Sequence, residues 1–142
     1  MVRQLLLATL ALGLAGTEIE LLLLGHVEGF WQLAPVVLIG IAIVLFGWLL
    51  AGHGRTSVRV FQAAMLLFLV SGLLGVWLHY QGNVEFELEL HRTMAGFELF
   101  RAAMSGATPA LAPGTMIVLG LVGITYTLVL PPKGGSHENE RR

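Results

Sequence analysis

Four long apolar segments dominate this sequence, and they contain only two of its charged residues. The segments cover residues 5–24, 33–51, 61–80 and 114–130. A helix needs about 20 apolar residues to cross the hydrocarbon core of a bilayer, within a range of about 17–25. Only 12% of the residues are charged, whereas soluble domains average about 25%. The sequence therefore predicts an all-α fold, a four-transmembrane-helix bundle.

The N-terminal and C-terminal residues each predict a separate feature. The N-terminal sequence has the pattern of a secretory signal peptide, with Arg3, an apolar run after it and a small-x-small triplet. Apolar character resumes at residues 21–24, however, and this favours an uncleaved first helix. At the far end, Pro131 and Pro132 stop the fourth helix. We expect residues 1–130 to form one integral membrane domain and residues 131–142 to form a disordered cytoplasmic tail.

The distribution of Lys and Arg predicts the orientation of the spans. With the N-terminus inside, six of the eight basic residues lie on the inner side, and only Arg92 and Arg101 lie outside. Because cytoplasmic segments are enriched in Lys and Arg, we expect a multi-pass protein of the bacterial inner membrane with both termini in the cytoplasm. Seven of the nine acidic residues then lie at or beyond the outer boundary.

The outer loop, residues 81–113, begins with an alternation of apolar and polar side chains over residues 84–91. This period favours an extended segment with Glu85, Glu87 and Glu89 on one face. Since Glu and Leu both favour helices, a helix is the alternative. Three like charges on one face would repel unless a cation or a basic partner lies opposite. These glutamates are therefore candidate surface residues.

The same loop continues with an amphipathic pattern over residues 93–105. Phe97 and Phe100 share an apolar stripe with two methionines, which predicts a short helix with Thr93 as its N-cap. We expect this helix to lie flat on the outer membrane surface or across the top of the bundle. Its two phenylalanines complete the set of candidate partner or surface residues.

Glu18 is the strongest candidate for a functional residue. It lies about six residues, or roughly 9 Å, inside the end of the first apolar segment. An ionisable side chain at such a depth is costly, so by default it indicates a proton relay or a cation ligand. The alternative is that the helix is shifted outward and that Glu18 and Glu20 both reach the lipid headgroups.

Imidazole and carboxylate groups near the outer surface are the ligand types that zinc and other first-row metals prefer. The candidate metal ligands are Glu18, His26, His79 and His91. Their spacing matches no closed site, so histidines with ordinary hydrogen bonds are the simpler interpretation. Haem held by His26 and His79 is a weaker alternative, and we predict no cofactor.

Catalysis has little support in the sequence. The chain lacks cysteine, and it lacks the nucleophile elbow, the zinc-protease motif, the phosphate loop and the dinucleotide fingerprint. We predict no catalytic residue and no enzymatic activity.

Three stretches give the chain a resemblance to a wider group of proteins. They are residues 20–26 (ELLLLGH), 75–79 (GVWLH) and 108–114 (TPALAPG). Together with the four segments, they make the chain resemble the uncharacterised small four-span integral membrane proteins of bacteria. The resemblance implies the four-span fold, and it carries over no activity and no catalytic residue.

Two functions are compatible with these features. The first is a non-enzymatic accessory or scaffold subunit of an inner-membrane assembly. Its partners would be the lipid bilayer and other membrane subunits or a second copy of itself, and not nucleic acid. The second is a small transporter or cation-binding membrane protein that uses Glu18 and the outer Glu and His residues.

Overall fold

A computed structural model describes residues 1–52 and 54–130, and every regular element in this part of the chain is an α-helix. The five helices are α1 (Val2–Leu23), α2 (Phe30–Gly52), α3 (Arg55–Leu90), α4 (Gly96–Met104) and α5 (Gly114–Leu128). The predicted all-α fold is confirmed for the described residues. The predicted tail, residues 131–142, lies outside them.

Three of these helices are long and apolar enough to cross a membrane, namely α1, α2 and α3. α1 and α2 contain 22 and 23 residues. At about 1.5 Å per residue they match a hydrocarbon core of about 30 Å. α5 is also apolar but contains only 15 residues. The structure thus supports a membrane protein with three candidate spans, and the predicted count of four is not confirmed.

The chain divides into two compact units. Among the described residues, the first unit contains Met1–Met65 and residues 122–130, and the second contains Leu66–Leu121. The prediction of a single membrane domain stays a prediction.

In the first unit, α1 packs against α2. Their buried side chains are mostly aliphatic, and they include Leu10, Leu14, Ile39, Ala42 and Leu49. Because these side chains lie on one side of each helix, the opposite sides remain exposed, as expected of helices that face lipid.

An aromatic cluster joins the later part of α2 to the start of α3 and the end of α5. The ring of Phe46 lies 5.7 Å from the rings of both Phe61 and Tyr126. Beside it, the amide of Gln62 donates a 2.9 Å hydrogen bond to the Thr127 hydroxyl. These contacts bring three helix ends together within the first unit.

In the second unit, α5 begins directly against the backbone of α3. A Cβ added to Gly72 would lie only 3.0 Å from the Ile117 nitrogen and 3.0 Å from the Pro113 oxygen. A Cβ added to Gly75 would lie 2.7 Å from the Pro113 Cβ. Such close approach is typical of small residues at helix contacts in lipid. It fixes where α5 starts along α3.

The extended segment that we predicted for residues 84–91 is wrong. α3 continues without interruption to Leu90 and contains 36 residues, about 54 Å at 1.5 Å per residue. A helix that has already formed adds residues at little cost, so the helix preference of Glu and Leu prevails. Glu85 and Glu89 therefore lie one turn apart on one side of α3, and Glu87 lies on another side.

The predicted amphipathic helix is present as α4, but it starts later than residue 93. Its N-cap is Ala95, which makes no side-chain capping bond, so the predicted Thr93 cap is wrong. The Met94 N–H bonds to the His91 carbonyl in a turn, and Gly96 follows with a φ of 61°. Glycine adopts this left-handed conformation without strain, which redirects the chain after α3.

Candidate functional site

Glu18 lies near the end of α1, and its carboxyl group faces α2. Its Oε1 is 3.8 Å from the position that a Cβ on Gly40 would occupy. Its Oε2 is buried and has no hydrogen-bond partner among the described residues. Helical side chains tilt toward the N-terminus of their helix, so the carboxyl group lies deeper in the span than its own Cα.

Gly40 marks the depth of this carboxyl group on α2. It lies ten residues after Phe30 in a helix of 23 residues, or about 15 Å along the axis at 1.5 Å per residue. The Glu18 carboxyl therefore lies beside the middle of an apolar helix. This geometry favours the interpretation of Glu18 as a residue within the span over the headgroup alternative.

The two helices around Glu18 supply no opposite charge. α2 contains no Asp, Glu, Lys, Arg or His. On α1, Arg3 is 15 residues away, about 22 Å along the axis. Glu20 is exposed, and at two positions from Glu18 it points to another side of the helix. A charge on Glu18 would thus be unpaired within this helix pair.

The other predicted metal ligands are not shown to join Glu18. His26 lies in the turn after α1, whereas His79 and His91 belong to the second unit. Across residues 1–52 and 54–130, no three His, Cys, Asp or Glu side chains are grouped so that they could hold a metal ion. The metal site stays a prediction, and the described geometry adds no support to it.

A buried asparagine that the sequence analysis did not single out connects α3 to the segment after α4. Asn83 is only 2% exposed. Its Nδ2 donates to the Ala103 carbonyl at 2.8 Å and to the Thr108 carbonyl at 2.6 Å. Its Oδ1 accepts from the Thr108 hydroxyl at 2.6 Å and from the Thr108 N–H at 3.2 Å. Both amide hydrogens and both oxygen lone pairs of the side chain are therefore used.

Space for these bonds depends on Gly106, where a Cβ would lie 2.8 Å from the Asn83 Cγ. One turn earlier on α3, the Nδ1 of His79 lies 3.1 Å from the Pro109 carbonyl oxygen. Because a carbonyl only accepts, Nδ1 carries the hydrogen in this bond. His79 is thus a hydrogen-bonded histidine of the kind that we regarded as the simpler interpretation. The spacing of four residues between His79 and Asn83 is the sequence feature that could have revealed the pair.

The predicted surface residues of α4, Phe97 and Phe100, are exposed. Phe97 is 78% exposed, and α4 buries Ala103 instead. The ring of Phe100 lies 6.2 Å from that of Phe97 and 6.0 Å from that of Tyr80. With Trp77, which lies 6.3 Å from Tyr80, these rings form a row that we call the aromatic strip.

The predicted glutamates lie on the last turns of α3. Glu85 and Glu89 line a shallow depression with Leu88 and Arg92. Large apolar side chains are exposed on the same turns, since Phe86 is 46% exposed and Leu90 is 61% exposed. These turns lie beyond the apolar stretch of α3, residues 61–80.

Comparison with known proteins finds no match to this chain among family models, curated proteins or solved structures.

Proposed function

We propose that this protein is a non-enzymatic, four-span integral protein of the bacterial inner membrane that serves as an accessory or scaffold subunit of a larger assembly. The supporting observation is the exposure of Phe86 and Leu90 on the last turns of α3. α3 continues for ten residues after Tyr80, about 15 Å at 1.5 Å per residue. Apolar side chains grouped beyond a span are typical of a surface that meets another protein.

A fourth crossing by α5 is part of this proposal. α5 alone is about 22 Å long at 1.5 Å per residue, which is short for a core of about 30 Å. Successive turns precede it, with N–H groups of Ala112 and Gly114 bonded to the carbonyls of Pro109 and Leu111. No charged residue occurs between 102 and 132. Residues 109–128 together are long enough to cross, with modest adjustment of the bilayer.

The proposed orientation places both termini in the cytoplasm, and labelling tests it directly. The chain contains no cysteine, so each single-cysteine variant carries one reactive site. A membrane-impermeant maleimide added to intact spheroplasts should label Arg92→Cys after α3 and leave Thr56→Cys at the start of α3 unlabelled. Lysed spheroplasts should label both. The reverse pattern in intact spheroplasts would contradict the orientation.

The subunit proposal is tested by purification in mild detergent followed by native mass measurement. We expect a defined partner, or a second copy of this chain, at fixed stoichiometry. The double variant Phe86→Ser and Leu90→Ser should lose it. Val70→Ala is the matched control, because Val70 is an exposed apolar residue within the span of α3. A homogeneous monomer from the unaltered chain would argue against the proposal.

A second candidate function is a small transporter or cation-binding membrane protein that uses Glu18. The burial of its Oε2 against α2 without a partner favours this candidate. Elemental analysis of the natively purified protein and ion flux into proteoliposomes would test it. Glu18→Gln should abolish metal retention or flux, and Glu20→Gln should leave both unchanged. Equal behaviour of the two variants would remove this candidate.

A further inference from the structure

We propose that the Glu18 carboxyl group is a proton-binding site within the membrane, lying against α2 and occupied by a proton rather than by a metal ion. This proposal is independent of the accessory-subunit function. It deepens the second candidate function by naming the cation, and it rests on the geometry of the first unit alone.

A bare carboxylate is costly at this position. Oε2 is buried and unpartnered in the described structure. An ionised carboxylate in apolar surroundings without a partner is strongly unfavourable. A proton, a metal ion or a hydrogen-bond donor must therefore meet it.

The surface of α2 around Gly40 is wholly apolar. Residues 36–44 of α2, which flank Gly40, are exclusively Val, Leu, Ile, Ala and Gly. This stretch offers neither a side-chain donor nor a metal ligand. In the remainder of the first unit, the described ionisable groups of α3 and α5 are Arg55, Arg59 and Tyr126, and Tyr126 packs on Phe46 further along α2.

A metal ion needs more ligand atoms than the described residues group together. First-row and alkaline-earth ions need about four to eight ligand atoms. Within residues 1–52 and 54–130, no group of three candidate ligand side chains is present. A proton needs only the carboxyl oxygen itself, and it removes the charge.

Gly40 acts as a positioning residue in this arrangement. Because glycine has no side chain, the surface of α2 is flat where the carboxyl group lies, and a methyl group there would be in ordinary contact with Oε1 at 3.8 Å. An alanine is therefore tolerated, whereas a leucine would displace the carboxyl group from the helix pair.

The test is the reaction of the full-length protein in membrane vesicles with N,N′-dicyclohexylcarbodiimide. This apolar reagent dissolves in lipid and reacts with protonated carboxyl groups. The carboxyl oxygen bonds to the central carbon of the reagent while its proton moves to one nitrogen. The acyl group then migrates to the other nitrogen, which gives a stable N-acylurea. No group leaves, so the modified peptide gains the mass of one reagent molecule.

Peptide mapping of the unaltered chain should find this modification at Glu18, at least about tenfold above Glu20, because Glu18 has a buried carboxyl oxygen whereas Glu20 is exposed. A chelator should not change the yield, and Gly40→Ala should preserve it whereas Gly40→Leu should lower it. Modification confined to Glu20 would overturn the proposal. So would modification of Glu18 only after chelation, since a metal ion would then be its occupant.

Infrared spectroscopy gives a second measurement that does not depend on reagent access. A neutral carboxyl group shows a C=O stretching band that ionised carboxylates lack. We expect Glu18→Gln to remove this band and Glu20→Gln to keep it. If Glu18→Gln keeps the full band, Glu18 is not the protonated group and the proposal fails, whatever the outcome of the partner experiments.

Discussion

Replacing Asn83 by alanine should release the segment after α4 from α3. The side chain makes four hydrogen bonds to Ala103 and Thr108. Alanine removes all four, and it leaves a space where the amide contacts Gly106. The helices of the first unit make none of these contacts, so the effect should remain local.

The magnitude follows from the exposure of the groups that lose a partner. Ala103 is fully buried, and a buried carbonyl without a donor costs about 1–3 kcal/mol. Thr108 is exposed, so its three groups can bond to water, and each of those bonds contributes only about 0.5 kcal/mol. The segment should therefore lose about 3 kcal/mol of local stability, which is about a 100-fold rise in the population of the open form.

Hydrogen–deuterium exchange of the protein in lipid nanodiscs measures this change. The reporter is the Thr108 N–H, which donates to the Asn83 Oδ1. Peptides covering residues 105–114 should exchange about 100-fold faster in Asn83→Ala, by the same conversion of free energy to population. Peptides from α1 should exchange as in the unaltered chain. Gln81→Ala, a change of a half-buried amide on the same helix, is the control and should leave residues 105–114 protected.

Asn83→Asp separates hydrogen bonding from packing, because it preserves the size and shape of the side chain. It would turn an oxygen, instead of the amide NH₂, toward the carbonyls of Ala103 and Thr108. Exchange should therefore be at least as fast as in Asn83→Ala. If Asn83→Asp retained the protection of the unaltered chain, these hydrogen bonds would not be what holds the segment.

Two further predictions concern the second unit. Gly72→Ala should destabilise it by about 1–3 kcal/mol in thermal unfolding, because the new methyl group would press on rigid backbone atoms at the start of α5. A Cβ added to Gly82 has no neighbouring atom within 4 Å, so Gly82→Ala should be neutral or slightly stabilising. Equal losses of stability in the two variants would contradict this account. A spin label on Phe97→Cys should be more accessible to oxygen than to a water-soluble nickel complex, because the aromatic strip continues from the span of α3. The same label on Glu98→Cys should show the reverse, and equal accessibility to nickel at both sites would exclude insertion of α4 into the lipid headgroup layer.

Hydrophobic patterning identified the helices but not all of their limits. The predicted segments 5–24, 33–51 and 61–80 each lie largely within an observed helix. The continuation of α3 to Leu90 was missed because alternating Glu and apolar residues suit a strand with one wet face and an exposed helix alike. Residues 84–91 are helical because they continue the helix that precedes them. The local pattern of these residues does not contain that information.

The candidate site was predictable only in part. Glu18 stands out because an acidic residue interrupts an apolar run, and this is visible in the sequence. Its contact with Gly40 was not predictable, because it depends on how α1 and α2 pack. Asn83 was missed for a different reason, since Gly82 and Asn83 together are typical of a turn, and only tertiary contacts show that the asparagine lies within a helix and binds a distant segment.

The bonds around Pro109 bear on the proposed fourth crossing by α5. α5 begins against Gly72 and Gly75, which lie inside the apolar stretch 61–80, so the turns just before α5 lie beside the span rather than beyond it. Hydrocarbon offers no donor to a free carbonyl, and non-helical backbone is tolerated at that depth only where protein groups satisfy it. The Pro109 carbonyl accepts from the Ala112 N–H and bonds the ring of His79, and the Leu111 carbonyl accepts from the Gly114 N–H. Backbone turns and one polar side chain of α3 thus make it feasible for the proposed fourth crossing to start with turns and continue as 15 residues of helix.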